Sequence, residues 1–266
     1  MSGVERIAEA FASARADGRR AALMPYLMGG FPELETSRRV GLAYAEAGAH
    51  LVELGVPFSD PLADGPVIHA AGTAALRAGA KLEAVLDVGR SIAERVPVVV
   101  MCYVNPILAR GSERFADALV EAGVSGLIVP DLPLEEAAEL LAICDQRGIA
   151  LVPLVAPTTP EDRLARIAAS ARGFLYAVSL TGTTGERAGL DGDRLRRMLA
   201  RAAAHTELPV AVGFGIGEPA QAAAAAAAGA DGVIVGSRLV RAAGEGPDPV
   251  TAVAELVRAF ASALSG

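Results

Sequence analysis

Short apolar runs alternate with amphipathic stretches from one end of the chain to the other. Apolar runs of four to eight residues bounded by Gly, Pro or Asp read as buried strands, and apolar positions recurring every three or four residues read as helices. The chain opens with such a helix, in which Val4, Ile7, Ala8 and Phe11 share a face. Strands are predicted over 21–28, 50–54, 98–102, 126–129, 149–155, 174–179, 209–212 and 232–235. Helical patterns lie between them at 34–47, within 67–95, and at 112–121, 134–147, 160–170 and 194–205. One more runs through the alanines of 222–228, and another, 249–264, ends the chain. Eight strands of one kind, each followed by a helical segment, predict an α/β fold: a (β/α)8 TIM barrel with an extra N-terminal helix. A doubly wound open sheet would use fewer strands and a Gly-rich loop after the first. No linker-like stretch divides the chain, so 1–266 is read as one domain.

The stretch 51–66, LVELGVPFSDPLADGP, departs from the apolar rule. Side chains alternate across a strand, so Leu51 and Glu53 point one way and Val52 and Leu54 the other. With helices covering the outer face, Glu53 faces the barrel interior, where burial disfavours its charged form. A carboxyl tuned upward beside a second carboxylate on the following loop, Asp64, is acid–base machinery. A buried Glu satisfied by an Arg or a backbone donor, with Asp60 and Asp64 as turn formers, fits the pattern equally well.

Composition removes several chemistries. The net charge of −7, with no basic cluster beyond pairs such as Arg196 and Arg197, argues against a nucleic-acid partner. No apolar run approaches a membrane span, and the N-terminus lacks the apolar core of a signal peptide, so a cytoplasmic protein is expected. Cys102 and Cys144 form no CxxC motif and read as reduced, buried thiols. His50, His69 and His205 show no metal-ligand spacing, so no metal is expected. Lys81 is the single lysine and falls at a predicted helix start, which removes a Schiff-base mechanism at a strand end.

In a barrel the chemistry lies at the C-terminal strand ends. Those ends carry Tyr26, Glu53, Asp60, Asp64, Tyr103, Asn105, Asp131, Thr158 and Tyr176. GFGIGEP after strand seven, with Gly213 and Gly215, and VGSRLV after strand eight, with Gly236 and Ser237, both bring backbone N–H groups to a helix start. Two such turns at adjacent strands predict a phosphate site. The segment TGTTGERAGL, 181–190, is too long for a minimal connection and reads as a lid. Tyr103 and Asn105 form either a pocket wall or a strand end that turns at Pro106. Asp131 either orients substrate or caps the helix at Leu134, capping being the more ordinary role for Asp before a helix.

ELGVPFSDPLADGP, MCYVNPI, PDLPLEE, PTTPEDR, GTTGER and GFGI together resemble, in order and over essentially the whole chain, the tryptophan synthase alpha chain family. The resemblance implies a metal-free carbon–carbon lyase that splits indole-3-glycerol phosphate into indole and glyceraldehyde 3-phosphate by a retro-aldol step. It implies no cofactor in this chain, and a beta-chain partner that holds pyridoxal phosphate, in an alpha2beta2 heterotetramer. Glu53 then resembles the family's acid–base glutamate and Asp64 the aspartate at the indole N–H. Tyr26 and Tyr176 match substrate contacts, and Gly185, Gly213, Gly236 and Ser237 match the phosphate cradle, to which Gly215 is added. The loop with Asp60 and the lid with Thr184 resemble the two segments that meet on closure, with Asn105 on the same interface. Met28, His69 and Thr183 depart from the family's usual Thr, Gln and Val, at positions of pocket lining and loop packing, and leave both carboxylates in place. A free-standing lyase releasing indole, or a slow activator of a beta chain, are the alternatives.

Overall fold

The computed structural model describes residues 1–178, 192–213 and 215–266. The N-terminal segment forms helix α1 (Gly3–Ala16). Its start is set by a capping box: Glu5 N–H donates to Ser2 Oγ, and Ser2 N–H donates to the Glu5 carboxylate. There follow β1 (Ala22–Met28), α2 (Leu34–Glu46), β2 (Val52–Gly55), α3 (Pro66–Arg77), α4 (Leu82–Ala93), β3 (Val98–Met101), α5 (Val104–Arg110), α6 (Ser112–Glu121) and β4 (Gly126–Ile128). The second half comprises α7 (Ala138–Arg147), β5 (Ala150–Leu151), β6 (Leu154–Val155), α8 (Glu161–Ser170), β7 (Leu175–Val178) and α9 (Gly192–Ala203). It ends with β8 (Val210–Gly213), α10 (Pro219–Ala227), β9 (Gly232–Val235), α11 (Ser237–Gly244) and α12 (Pro249–Ala263).

Every pairing between these strands is parallel, in the order β5-β4-β3-β2-β1-β9-β8-β7-β6. The two ends of that order are halves of one extended stretch. Pro153 has no N–H to give to a ladder and interrupts it. Val152 N–H still donates to Leu127 on the β4 side at 2.9 Å, and Pro153 C=O accepts from Tyr176 N–H on the β7 side at 3.1 Å. The sheet therefore closes on itself with eight strand positions, the (β/α)8 barrel expected from the repeat. The fifth strand, expected whole over 149–155, is corrected to two short segments.

Two further expectations are corrected. The helix expected over 134–147 is a 3-10 turn, Leu134–Glu136, followed by α7. Of the two readings left open for Tyr103 and Asn105, the strand end turning at Pro106 gives way to the first turn of α5, where a proline costs no helical hydrogen bond.

The alternation read at β2 holds. Val52 and Leu54 pack outward in the layer between sheet and helices. Leu51 points into the lumen with Met24, Val99, Ile128, Phe174 and Ala211. Helix α1 closes the end of the barrel at which the strands begin, with Ile7 and Phe11 buried in that lumen cluster. Phe11 meets Phe174 with ring centroids 5.8 Å apart. Each such side chain contributes about 1.5–3 kcal/mol through burial. Among the described residues no helix is long and apolar enough to cross a membrane.

Candidate active site

At the opposite end the lumen stays open. A pocket with about 630 Å³ of space, part of it open to solvent, is lined by Glu53 and Asp64, by Tyr26 and Tyr176, and by Gly236 and Ser237 among others. Glu53 sits two residues beyond Leu51 on the same face of β2 and is 1% exposed. Among the described residues its Oε2 has no hydrogen-bond partner. Burial, and after it the charge of Asp64, push its carboxyl up to about 8. A carboxyl in that state carries its proton at neutral pH. Among the described residues no Arg forms a salt bridge with Glu53.

Asp64 lies on the loop between β2 and α3, one residue before the N-cap Gly65. Burial raises its carboxyl too, opposed by a hydrogen bond from Tyr103 and by the charge of His69. The Tyr103 hydroxyl donates to Asp64 Oδ1 at 3.1 Å. Two neighbouring carboxyls do not both ionise readily. Among the described residues Glu53 has no partner that favours its charged form, whereas Asp64 has the Tyr103 hydrogen bond and the charge of His69 to favour its own.

The tyrosines reach the pocket because their neighbours lack side chains. Tyr26 on β1 pairs with Glu53 in register, and its hydroxyl lies 1.9 Å from where a Cβ on Gly55 would stand. Tyr176 on β7 repeats the device against β8: its hydroxyl lies 2.3 Å from where a Cβ on Gly213 would stand. Burial holds both phenols protonated, with the nearby carboxylates adding to the effect. Gly213 thus makes room for Tyr176 and is not itself among the lining residues.

The two glycine turns are not equivalent. At α10 the N–H groups of Gly217 and Glu218 donate to Gln221 Oε1 at 2.7 and 3.0 Å, so that helix start caps itself. The N–H groups of Gly217 and Glu218 are thereby taken up within the turn. At α11 the N-cap is Gly236, which supplies no side-chain cap, and Gly236 and Ser237 face the pocket. Gly215, at φ +79, brings its backbone to the same pocket. An uncapped helix start with its partial positive charge is suited to a phosphate.

The family model described as tryptophan synthase alpha chain matches residues 11–264. The chain belongs to the tryptophan synthase alpha chain family. It is 49% identical over 239 residues to the tryptophan synthase alpha chain of Prochlorococcus marinus, covering 88% of this chain and 86% of that one. It is 48% identical to that of Synechococcus elongatus, over 97% of this chain and 96% of that one. The fold superimposes on a Mycobacterium tuberculosis tryptophan synthase structure with a TM-score of 0.91 at 39% identity, covering 98% of both chains. A Legionella pneumophila tryptophan synthase alpha subunit gives 0.89 at 35% identity, covering 99% of this chain and 98% of that one.

Other residues singled out in the sequence stand outside the pocket. Asp60 is exposed and accepts from Ser59 Oγ. Asn105 is exposed on α5, which also presents Leu108, 62% exposed; Leu62, on the Asp60 loop, is 80% exposed. Met28 is buried, its thioether packed over Gly72. Asp131 caps a helix, but not the one expected: its Oδ1 accepts from Val104 N–H, at the start of α5, at 2.9 Å. Thr183, Thr184, Gly185 and the lid read over 181–190 lie outside the described residues. Sequence reading missed Ile68, Met101, Leu154, Ile216 and Ile234 as pocket walls, because apolar residues at strand ends carry no signal beyond that of the core. Among the described residues no group of His, Cys, Asp and Glu forms a metal-binding set.

Proposed function

We propose that the chain cleaves indole-3-glycerol phosphate to indole and glyceraldehyde 3-phosphate, with Glu53 and Asp64 as the catalytic pair. The observation that carries this reading is the pairing, in one mostly apolar pocket, of Glu53, buried, pushed up to about 8 and with one oxygen lacking a partner among the described residues, and Asp64, which accepts a hydrogen bond from Tyr103. Glu53 gives its proton to C3 of the indole ring. Positive charge then develops at the ring nitrogen, whose N–H donates to the Asp64 carboxylate. The glycerol C3′ hydroxyl loses its proton to the Glu53 carboxylate, the C3–C3′ bond breaks, and its electron pair returns to the ring. The hydroxyl carbon becomes the aldehyde of the triose phosphate. The proton ledger closes on Glu53, so no cofactor in this chain takes part. Each proton transfer is worth about 10²–10⁴-fold in rate.

Tyr26 and Tyr176 flank the reacting atoms, and Gly215, Gly236, Ser237 and Gly185 hold the phosphate, Gly213 acting through Tyr176. Asp60, Thr184 and Asn105 belong to closure and docking. The partner is a beta chain carrying pyridoxal phosphate, in an alpha2beta2 assembly in the cytoplasm, and the exposed Leu62 and Leu108 support a docking face beside the site. The test is indole release from indole-3-glycerol phosphate by the purified chain, with and without a cognate beta chain. Slow release that rises sharply with the partner is expected. No release in either case would remove the substrate assignment.

A further inference from the structure

We propose that Tyr103 is a positioning residue, whose single hydroxyl fixes both the Asp64 carboxylate and the course of the loop that carries it. The ring is buried, 3% exposed, and stacked on Phe58 with centroids 5.3 Å apart and planes 28° apart. The hydroxyl accepts from Ala63 N–H at 3.0 Å and donates to Asp64 Oδ1 at 3.1 Å. A backbone amide can only donate, so the phenol proton has one direction left, toward Asp64. Burial and the charge of Asp64 oppose loss of that proton, so Tyr103 remains a donor. Its backbone is fixed in turn, because the next residue, Val104, donates to Asp131 from the β4 loop. The loops after three consecutive strands are thereby tied together around the Tyr103 hydroxyl and Asp64 Oδ1.

Tyr103 does not line the pocket. It acts through Asp64, and among the described residues it makes the one hydrogen bond to that carboxylate. Among the described residues the other ionisable groups that face Asp64 are Glu53 from β2, Tyr26 from β1 and His69 from α3.

The kinetic part of the test rests on the function proposed above. Tyr103→Phe keeps the ring and its stacking and removes only the hydroxyl. The expected result is a fall in kcat of roughly tenfold, with KM changed by less than about twofold, as for loss of one hydrogen bond to a charged group. In an Asp64→Asn background the same change is expected to cost nothing further, since the two residues act as a unit. An unchanged kcat, or an equal additional fall in that background, overturns the proposal. Titration of the Asp64 carboxyl by 13C NMR, assigned with Asp64→Asn, supplies a readout without turnover. Its midpoint is expected to move to higher pH in Tyr103→Phe, and an unmoved midpoint overturns the proposal. Absence of cleavage by the wild-type chain would sink the substrate assignment alone and leave Tyr103 to be judged by this titration.

Discussion

Strand β2 has a titratable group at each end, and the two are built in opposite senses. His50, just before the strand, is half-buried; its Nδ1 accepts from Leu23 N–H at 3.1 Å, so the ring is neutral and satisfied. Burial, and after it the charge of Arg19, lower its affinity for a proton. Glu53, three residues on, is buried deeper, one of its oxygens has no partner among the described residues, and its affinity for a proton is raised. The first end is closed by α1 and the Phe11–Phe174 contact, and is optimised for packing. The second leaves a polar group without a partner among the described residues, an arrangement that costs stability and is retained where a substrate can supply the missing bond. A fold can hold both on one strand because the alternation of side chains keeps Leu51 and Glu53 on one face while the environment changes along the barrel axis.

The comparison breaks most sharply at Glu53. Glu53→Gln is expected to lower indole release by about 10²–10⁴-fold while leaving binding of an unreactive phosphate-bearing analogue nearly intact. Loss of analogue binding in equal measure would make Glu53 structural. At the closed end Phe11→Ala is expected to cost about 3–5 kcal/mol in urea unfolding, with kcat per folded molecule unchanged well below the melting temperature. A fall in kcat there would mean that the plug shapes the site.

Gly213→Ala lies between these. It sets a Cβ against the Tyr176 hydroxyl, so a cost of about 1–3 kcal/mol from overpacking is expected, together with lower kcat as the phenol is displaced. Normal kinetics in that variant would show that the hydroxyl moves without consequence.

The pH profile sharpens the contrast. The folded Glu53 carboxyl titrates at about 8 against an ordinary 4.5. Its proton-linked stability is therefore fully present below 4.5 and is lost as pH rises toward 8; kcat, needing the acid, falls over the upper part of that range. For His50 the folded value lies below the ordinary 6.5, so its contribution is present above 6.5 and is lost as pH falls beneath it. Melting temperatures across pH 5 to 9 should show the upper slope flattened by Glu53→Gln and the lower one by His50→Asn, which keeps an acceptor for Leu23. A slope that survives its own substitution would assign it to another group.

The eight-fold repeat, the N-terminal helix, the inward face of Glu53 and the membership of Asp64 in the same site were legible because each is a local pattern. Side-chain period on a strand is two, helical period is 3.6, and the turn residues between them are read within a few positions. The tertiary structure alone decided the contacts that join distant segments. Tyr103 reaches Asp64 across 39 residues, Asp131 caps a helix 27 residues before it, and the tyrosines lean over glycines on neighbouring strands. It also decided that Gln221 takes up two N–H groups of one glycine turn, and that the α11 start faces the pocket. A residue type announces which bonds it can make. Which bond it does make depends on how loops from separate strands converge at one end of the barrel, and no periodicity along the chain encodes that convergence.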